Sequence, residues 1–192
     1  MILLTAVIAG LIAALVRVRI GQRQLQALRL KLEWLVVLSF VPQLLAFHLP
    51  ATAERMPDSW APLILVSTQF LLLVFFWVNR KAPGFWILGL GLGLNFLVIV
   101  LNQGLMPINP ETVARLVPNA PEGAWQVGER MGYSKDIVLT VAESKLWLLS
   151  DRMMLPDWIP YRVAFSIGDI FIAIGAFWLL WSLGGSEKED NQ

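Results

Sequence analysis

The chain has 192 residues, of which 57% are apolar and only 15% are charged, and its formal net charge is +1. This composition excludes an ordinary water-soluble domain, and the near-zero charge gives no electrostatic basis for binding nucleic acid. Cysteine is absent and His48 is the single histidine, which excludes disulfides, thiolate sites and a multi-histidine metal centre, so we expect no metal and no cofactor.

The apolar residues are concentrated in five blocks, each about as long as a helix needs to cross a bilayer. We therefore predict an all-α membrane protein with about five transmembrane helices, built as a single integral membrane domain over residues 1–192. A folded extracytoplasmic segment is expected between the fourth and fifth helices. The predicted spans are 1–16, 34–49, 61–78, 85–101 and 163–183, and the outer segment is 102–162.

The distribution of charge predicts the orientation. Basic residues cluster between positions 17 and 31, and Arg80 and Lys81 follow the third block, whereas the loop between the second and third blocks contains Glu54, Asp58 and a single arginine. Positive charge favours the cytoplasmic side of a membrane. The sequence thus predicts a multi-pass protein of the bacterial cytoplasmic (inner) membrane, with the N-terminus outside and the acidic C-terminal tail 187–190 in the cytoplasm.

Several polar residues are embedded in the apolar blocks. Asn95 and Asn102 are one helical repeat apart and share a helix face, and Gln43 and Gln69 lie in other blocks. The expected role of these amides is hydrogen bonding between helices. Pro42 predicts a kink in the second span, and glycines between positions 84 and 93 predict close packing of the fourth span against a neighbour.

The outer segment contains short elements. Pro110–Leu116 has the pattern of a short helix with Asn109 as its N-cap and proline at its first position. Residues 137–149 are apolar but too short to cross a membrane, so they predict either an extended pair or an element lying on the membrane surface.

Three segments resemble the signatures of a family of bacterial multi-pass membrane proteins that has no assigned activity. They are Asn102-Gln103-Gly104-Leu105-Met106-Pro107, Ser150-Asp151 and Phe165-Ser166-Ile167-Gly168-Asp169. The resemblance covers nearly the whole chain. It implies a location and an architecture, and it leaves the activity unassigned.

The end of the chain also resembles the C-terminal part of lipoprotein signal peptidase (signal peptidase II). Asp151 matches that family's first catalytic aspartate. The stretch from Phe165 to Asp169 matches its second motif, with Ser166 where the family has asparagine and Gly168 where it has alanine. Asn102 and Gly104 are similar to its Asn-x-Gly motif, although two spans that the family has between that motif and the first aspartate are missing here. The resemblance implies an intramembrane aspartic hydrolase.

The two aspartates suggest a definite chemistry. Asp169 is expected about six residues into the last block, roughly 9 Å below the membrane surface. Two carboxyl groups held close together cannot both ionise cheaply, so one stays protonated while the other can activate water. We hypothesise that Asp151 and Asp169 form a catalytic dyad and that Asn102 positions water or a substrate carbonyl. The candidate substrate-binding residues are Gly104, Ser166, Arg162 and His48.

Structural roles for the same residues remain open. Arg152 or Arg162 would then form a salt bridge with Asp169, and Asp151 would cap a turn or helix. In that alternative the chain is a structural or accessory subunit of a larger membrane complex, and its partners are the lipid bilayer and other membrane subunits. If it is a hydrolase, its partner is a membrane-anchored peptide or lipid substrate. A small transporter is a third alternative, which the absence of visible internal repeats disfavours.

Overall fold

The computed structural model describes residues 2–21, 24–25, 27–121 and 123–185. Helices account for 56% of the chain, so the predicted helical class is confirmed. The acidic tail 187–190, to which a cytoplasmic location was assigned, lies outside the described residues, as does Met1 at the start of the first predicted span. The extent of the protein as one domain remains a prediction.

The chain forms seven α-helices within the described residues. Among these, α1 and α4 are long and apolar enough to cross a membrane, and three shorter helical stretches, Trp34–His48, α5 and α7, are also apolar. Their bounds are α1 Ile2–Ile20, α2 Trp34–Gln43, α3 Pro50–Ala53, α4 Trp60–Asn79, α5 Phe85–Leu101, α6 Pro110–Leu116 and α7 Ile167–Ser182.

The long helices pack side by side in an order different from that of the sequence. α1 packs on α7, α7 packs on α5, α5 packs on α4, and α4 packs on α2. Glycine permits the closest of these approaches, because a Cβ atom at Gly91 would collide with the backbone of Gly168 and Ile172 in α7. The prediction of a tight glycine-lined contact is confirmed for Gly91. It is wrong for Gly93, which faces open space.

The helix of the second predicted span changes its form near its proline. Pro42 has no N–H to donate, and two residues later α2 continues as the π-helix Leu44–His48. Gln43, at the junction, donates from Nε2 to the hydroxyl oxygen of Thr68 in α4 at 2.8 Å. The predicted hydrogen bond between helices is therefore present at Gln43, and the predicted irregularity takes the form of a widened helical turn.

The segment 102–162, which was predicted to lie outside the membrane, folds onto the N-terminal part of α4 and the C-terminal part of α5. Its strands form two small sheets, one parallel and one antiparallel, and a 3-10 turn, Trp147–Leu149, lies between them. Met106 and Ile137 are buried in the same apolar cluster as Leu65 of α4 and Ile99 of α5. The segment thus shares a core with the helices. The strands are β1 Met106–Ile108, β2 Asp136–Val138, β3 Met153–Met154 and β4 Ala164–Phe165, with β1 pairing β2 and β3 pairing β4.

Local chemistry correctly predicted the short outer helix. α6 begins at Pro110, and the Asn109 side chain accepts a hydrogen bond from the main-chain N–H of Thr112 at 2.6 Å. The predicted N-cap is therefore confirmed. For residues 137–149 the extended alternative applies at one end only, where Ile137 and Val138 belong to β2, and the other end is the 3-10 turn.

Two predicted boundaries are wrong. α1 continues to Ile20, so that Arg17 and Arg19 lie on the helix itself. α7 begins at Ile167 and not at residue 163, because the chain before it is the strand β4 and Ser166 caps the helix. Asp169 is therefore in the first turn of α7, and the expectation that it lies six residues inside the last helix is corrected.

Candidate functional site

The first polar site lies within the outer segment, around Asp151. The main-chain N–H of Asp151 donates to the carbonyl oxygen of Pro107 in β1 at 3.2 Å, which fixes the residue beside that strand. Its side chain is buried, and Oδ2 accepts a hydrogen bond of 2.5 Å from Nζ of Lys135. Oδ1 is also buried and has no hydrogen-bond partner among the described residues. Asp151 is therefore the buried member of an ion pair.

Lys135 forms ion pairs with two carboxylates. It precedes β2, and its carbonyl oxygen accepts from the N–H of Met106 in β1. Its ammonium group lies 2.5 Å from Asp151 and 3.4 Å from the carboxylate of Asp136, while 40% of its side chain is exposed. One cation thus serves two neighbouring carboxylates at the point where β1, β2 and Asp151 meet.

The pKa values within this cluster shift in defined directions. Burial raises the pKa of Asp151 to about 7, the negative charges of Asp136 and Asp169 add to the rise, and Lys135 opposes it. Desolvation alone would lower the pKa of Lys135, but the carboxylates of Asp151, Asp136 and Asp169 together raise it above its ordinary value. Lys135 therefore stays protonated at neutral pH, whereas Asp151 is only partly ionised there.

The second polar site lies at the start of α7. Ser166 is fully buried and accepts from the N–H of Asp169 at 3.0 Å, while Asp169 Oδ2 accepts from the N–H of Ser166 at 3.0 Å. This reciprocal arrangement is a capping box. Asn95 of α5 completes the network, because its Nδ2 donates to Asp169 Oδ1 at 2.9 Å and its Oδ1 accepts from the Ser166 hydroxyl at 2.8 Å. Both carboxylate oxygens of Asp169 are hydrogen bonded.

Gly168 makes this second site possible. A Cβ atom at that position would collide with the side-chain amide of Asn95 and with the backbone of Gly91. Glycine therefore lets α5 and α7 approach until their polar side chains meet directly. The proximity of Asn95 to Asp169 is a consequence of that approach.

Asn102 has a different role from the one hypothesised. Its Nδ2 donates to the carbonyl oxygens of Val98 and Lys145, and its Oδ1 accepts from the N–H of Lys145 at 2.9 Å. The side chain is buried, and these bonds attach the end of α5 to the chain before the 3-10 turn. Asn102 thus fixes the outer segment to the helices, and none of these bonds involves Asp151 or Asp169.

The candidate substrate-binding residues are dispersed. Gly104 has a positive φ of 81° and lies against Pro62 of α4, where a side chain would not fit. His48 is exposed at the end of the π-helix, with Nδ1 3.5 Å from the carbonyl oxygen of Gln43. Arg162 is exposed before β4, and no ion pair joins it to Asp169 among the described residues. Only Ser166 is in contact with one of the two candidate catalytic aspartates.

Sequence reasoning missed the residues that partner the aspartates. Lys135 was not selected, although it lies in a polar stretch directly before the apolar residues of β2. Asn95 was expected to hydrogen bond between helices, and it does so, but its connection to Asp169 was not foreseen. A readable signal was available for Ser166, because Ser166 and Asp169 have the Ser-x-x-Asp spacing of a capping box ahead of an apolar run.

These features define a helical protein with membrane-length apolar helices, a folded segment over one end of them, and buried polar clusters where the two meet. The chain belongs to the Family of unknown function (DUF5317), whose model matches residues 27–181. An uncharacterized protein of Thermotoga maritima is 27% identical over 135 residues, which cover 68% of this chain and 69% of that protein.

No solved structure matches the chain. The family match confirms the predicted resemblance to a family without an assigned activity. The resemblance to signal peptidase II is not shown by these comparisons.

Proposed function

We propose that this chain is a five-span protein of the bacterial cytoplasmic membrane, with its N-terminus outside and its C-terminus in the cytoplasm. The apolar faces of its helices support this topology. Leu63 is 69% exposed, Phe40 is 60% exposed and Ile12 is 57% exposed, each on a different helix. Apolar faces of this extent are unfavourable in water and match the acyl chains of a bilayer.

The orientation rests on charge and on the position of the folded segment. The short connections after α1 and α4 are basic, with Arg23, Arg29 and Lys31 in the first and Arg80 and Lys81 in the second, which favours the cytoplasmic side for both. The basic residues of the long outer segment count little in this rule, because long segments translocate regardless of charge. The outer segment then lies on the opposite face, above the outer ends of α4, α5 and α7.

Within this topology we propose that the protein is a structural or accessory subunit of a membrane complex. One observation carries the proposal: the groups expected to perform chemistry are committed to internal contacts. Asp169 caps α7 and binds Asn95, Asn102 holds the backbone of Lys145, and Asp151 pairs with Lys135. In this role Asp151 and Asn102 hold the outer segment in place, Asp169 joins α7 to α5, and the outer segment is the part offered to partners.

A second candidate function is an intramembrane aspartic hydrolase. It is favoured by a separate observation on Asp151, whose Oδ1 has no hydrogen-bond partner among the described residues and whose pKa is raised to about 7 by burial. A carboxyl group of that pKa can exchange a proton at neutral pH, and the charge of Asp169 is near enough to affect it. The substrate class would be a membrane-anchored peptide or lipid.

Two measurements separate these functions. Membranes of a strain that makes the full chain are solubilised in mild detergent and resolved by native electrophoresis. The accessory role predicts that the chain migrates in an assembly with other subunits, and that Asp169→Asn, which preserves the size of the side chain and one of the two hydrogen bonds that it accepts, leaves the assembly intact. Migration as the free chain contradicts this role.

The second measurement uses a strain that lacks the protein. The accessory role predicts that a chain carrying both Asp151→Asn and Asp169→Asn restores any phenotype of that strain to the extent that it accumulates in the membrane. Asp58→Asn, on the exposed outer loop, serves as the matched control. A doubly substituted chain that accumulates normally and restores nothing would favour the hydrolase.

A further inference from the structure

A polar cavity of about 200 Å³ opens in the outer segment, and neither Asp151 nor Asp169 is among its lining residues. It is lined from one side by α6, through Glu111, Thr112 and Arg115, and from the other by Trp147 and Arg152. Two of these side chains are guanidinium groups and one is a carboxylate, so the lining residues carry a net positive charge. The cavity is large enough for a small ionic group.

Arg152 is held in position for binding. Its guanidinium carbon lies 4.6 Å from the centre of the Trp147 ring, a cation–π contact that holds the group over the ring. One of its nitrogens, Nη1, is buried and has no hydrogen-bond partner among the described residues. A buried donor without an acceptor is costly, and an anion in the cavity toward which the guanidinium turned would supply that acceptor.

Arg115 provides a second cation that is only weakly engaged. Its Nη2 lies 3.8 Å from the carboxylate of Asp157, whose side chain is 92% exposed, and Arg115 itself is 54% exposed. An exposed ion pair at this distance contributes little and is easily exchanged for another anion. Arg115 can therefore turn to a ligand that Arg152 has already bound.

The cavity also lies close to the helix ends. The 3-10 turn that carries Trp147 packs against α5 and α7, and the neighbouring Leu148 is 54% exposed. An exposed leucine and a tryptophan at that level are typical of the headgroup layer of a membrane. In the topology proposed above, the mouth of the cavity is then within reach of lipid headgroups.

We propose that this cavity binds a phosphate group through Arg152 and Arg115, and that its source is the phosphodiester of a lipid headgroup. Arginine matches the oxygens of phosphate with paired N–H donors, and a singly charged phosphodiester balances the net charge of the lining. Glu111 is then available to accept a hydrogen bond from a hydroxyl group beyond the phosphate, as in a glycerol headgroup. The lipid source rests on the proposed topology, whereas phosphate binding itself does not.

The test uses the purified full chain in detergent micelles and a short-chain phosphatidylglycerol. Calorimetric titration of the wild-type chain is expected to show saturable binding, and Arg152→Gln is expected to weaken it by about tenfold or more, the effect of losing a charge-assisted hydrogen bond. Arg152→Lys keeps the charge but loses the paired donors and the stacking, so its affinity should fall between the two. Arg55→Gln, an exposed arginine of the other outer loop, is the charge-matched control and should bind as the wild type does.

Two further ligands test whether the bound phosphate group belongs to a lipid or to a free anion. Diacylglycerol with the same acyl chains lacks phosphate and should not bind in an Arg152-dependent manner. Inorganic phosphate that binds as tightly as the lipid would assign the site to a free anion, while phosphate that binds far more weakly would support the headgroup. The proposal is overturned if neither phosphate compound binds, or if Arg152→Gln and Arg55→Gln bind equally.

If Arg152→Gln fails to fold, Arg115→Gln takes its place. Arg115 is half exposed, so its removal should leave the fold intact, and the proposal still requires weaker phosphatidylglycerol binding. Unchanged affinity in a folded Arg115→Gln chain would reduce the site to Arg152 alone and contradict the proposed pair.

Discussion

Asp151 and Asp169, which the sequence suggested as a catalytic pair, are stabilised by different kinds of interaction. Asp169 lies in a hydrogen-bonded network in which the amide of Asn95 and the main-chain N–H of Ser166 each donate to one of its carboxylate oxygens. The hydroxyl of Ser166 accepts from the N–H of Asp169 and donates to Asn95 Oδ1. Asp151 is buried against one cation and has one oxygen without a partner. The carboxylate at the start of α7 therefore receives all of its hydrogen bonds from neutral groups, whereas the one inside the outer segment is hydrogen bonded to a neighbouring cation.

The largest expected effect comes from removing the cation. Lys135→Met leaves the carboxylate of Asp151 buried without a counter-charge, and we expect a loss of about 2–4 kcal/mol in the free energy of unfolding, below the full value for a buried pair because Lys135 is partly exposed. The loss should be greater at pH 8 than at pH 5, since Asp151 can take up a proton at the lower pH. Denaturant titration in mixed micelles measures both values. An equal loss at both pH values would contradict the dependence of Asp151 on Lys135.

The second largest effect is expected at Asp169, whose carboxylate accepts a hydrogen bond from Asn95. Asn95→Ala removes the donor to Asp169 and the acceptor of the Ser166 hydroxyl, and it should cost about 2 kcal/mol, the usual effect of leaving buried polar groups unsatisfied. Asn95→Asp keeps the size but places a second carboxylate beside Asp169, so it should be at least as harmful at neutral pH. Denaturant titration in mixed micelles measures the free energy of unfolding of both variants. A fully stable Asn95→Ala chain would mean that the network at α7 contributes nothing.

The pH dependence of stability sharpens the contrast. Burial raises the pKa of Asp151 from 3.8 to about 7, so the folded state binds this proton more tightly than the unfolded state does. The stability that comes from the protonated form is therefore fully present below about pH 4 and is lost as pH rises through about 7. Asp151→Asn should flatten that decline between pH 5 and pH 8. A wild-type chain whose stability rises between pH 5 and pH 8, with that rise removed by Asp151→Asn, would contradict a raised pKa of Asp151 in the folded state.

The smallest effect is expected at the helix cap. Ser166→Ala removes the acceptor for the N–H of Asp169 and should cost about 1 kcal/mol, as N-cap substitutions typically do. Ser166→Thr keeps the hydroxyl and is the matched control. Circular dichroism during thermal unfolding provides the comparison, and an alanine variant as stable as the threonine variant would exclude the cap as a stabilising element.

Much of the helical layout could be predicted because it depends on local pattern. Apolar runs of membrane length mark the helices, and the proline and asparagine around position 110 define α6 through short-range chemistry. Gln43 and Asn95 could likewise be assigned to contacts between helices, since a lone amide in an apolar block needs a partner.

The parts that could not be predicted depend on contacts between distant segments. Lys135 meets Asp151 only because β2 pairs with β1 and Asp151 is bound to Pro107 of the same strand. Nothing in the pattern of a short loop specifies that parallel pairing. Hydropathy also placed the start of α7 too early, because the residues of β4 are as apolar as a helix and only the capping box marks the true boundary.

The most direct test of the structural role of Asp151 is a double-mutant cycle on its ion pair with Lys135. The free energy of unfolding is measured at pH 7 for the wild type, for Lys135→Met, for Asp151→Leu and for the chain that carries both substitutions. If the aspartate serves the fold of the outer segment through Lys135, the double variant should be more stable than either single variant, because an apolar pair of similar volume replaces the ionic one. Losses that simply add would show that the two residues act independently, and the proposed role of Asp151 would fail.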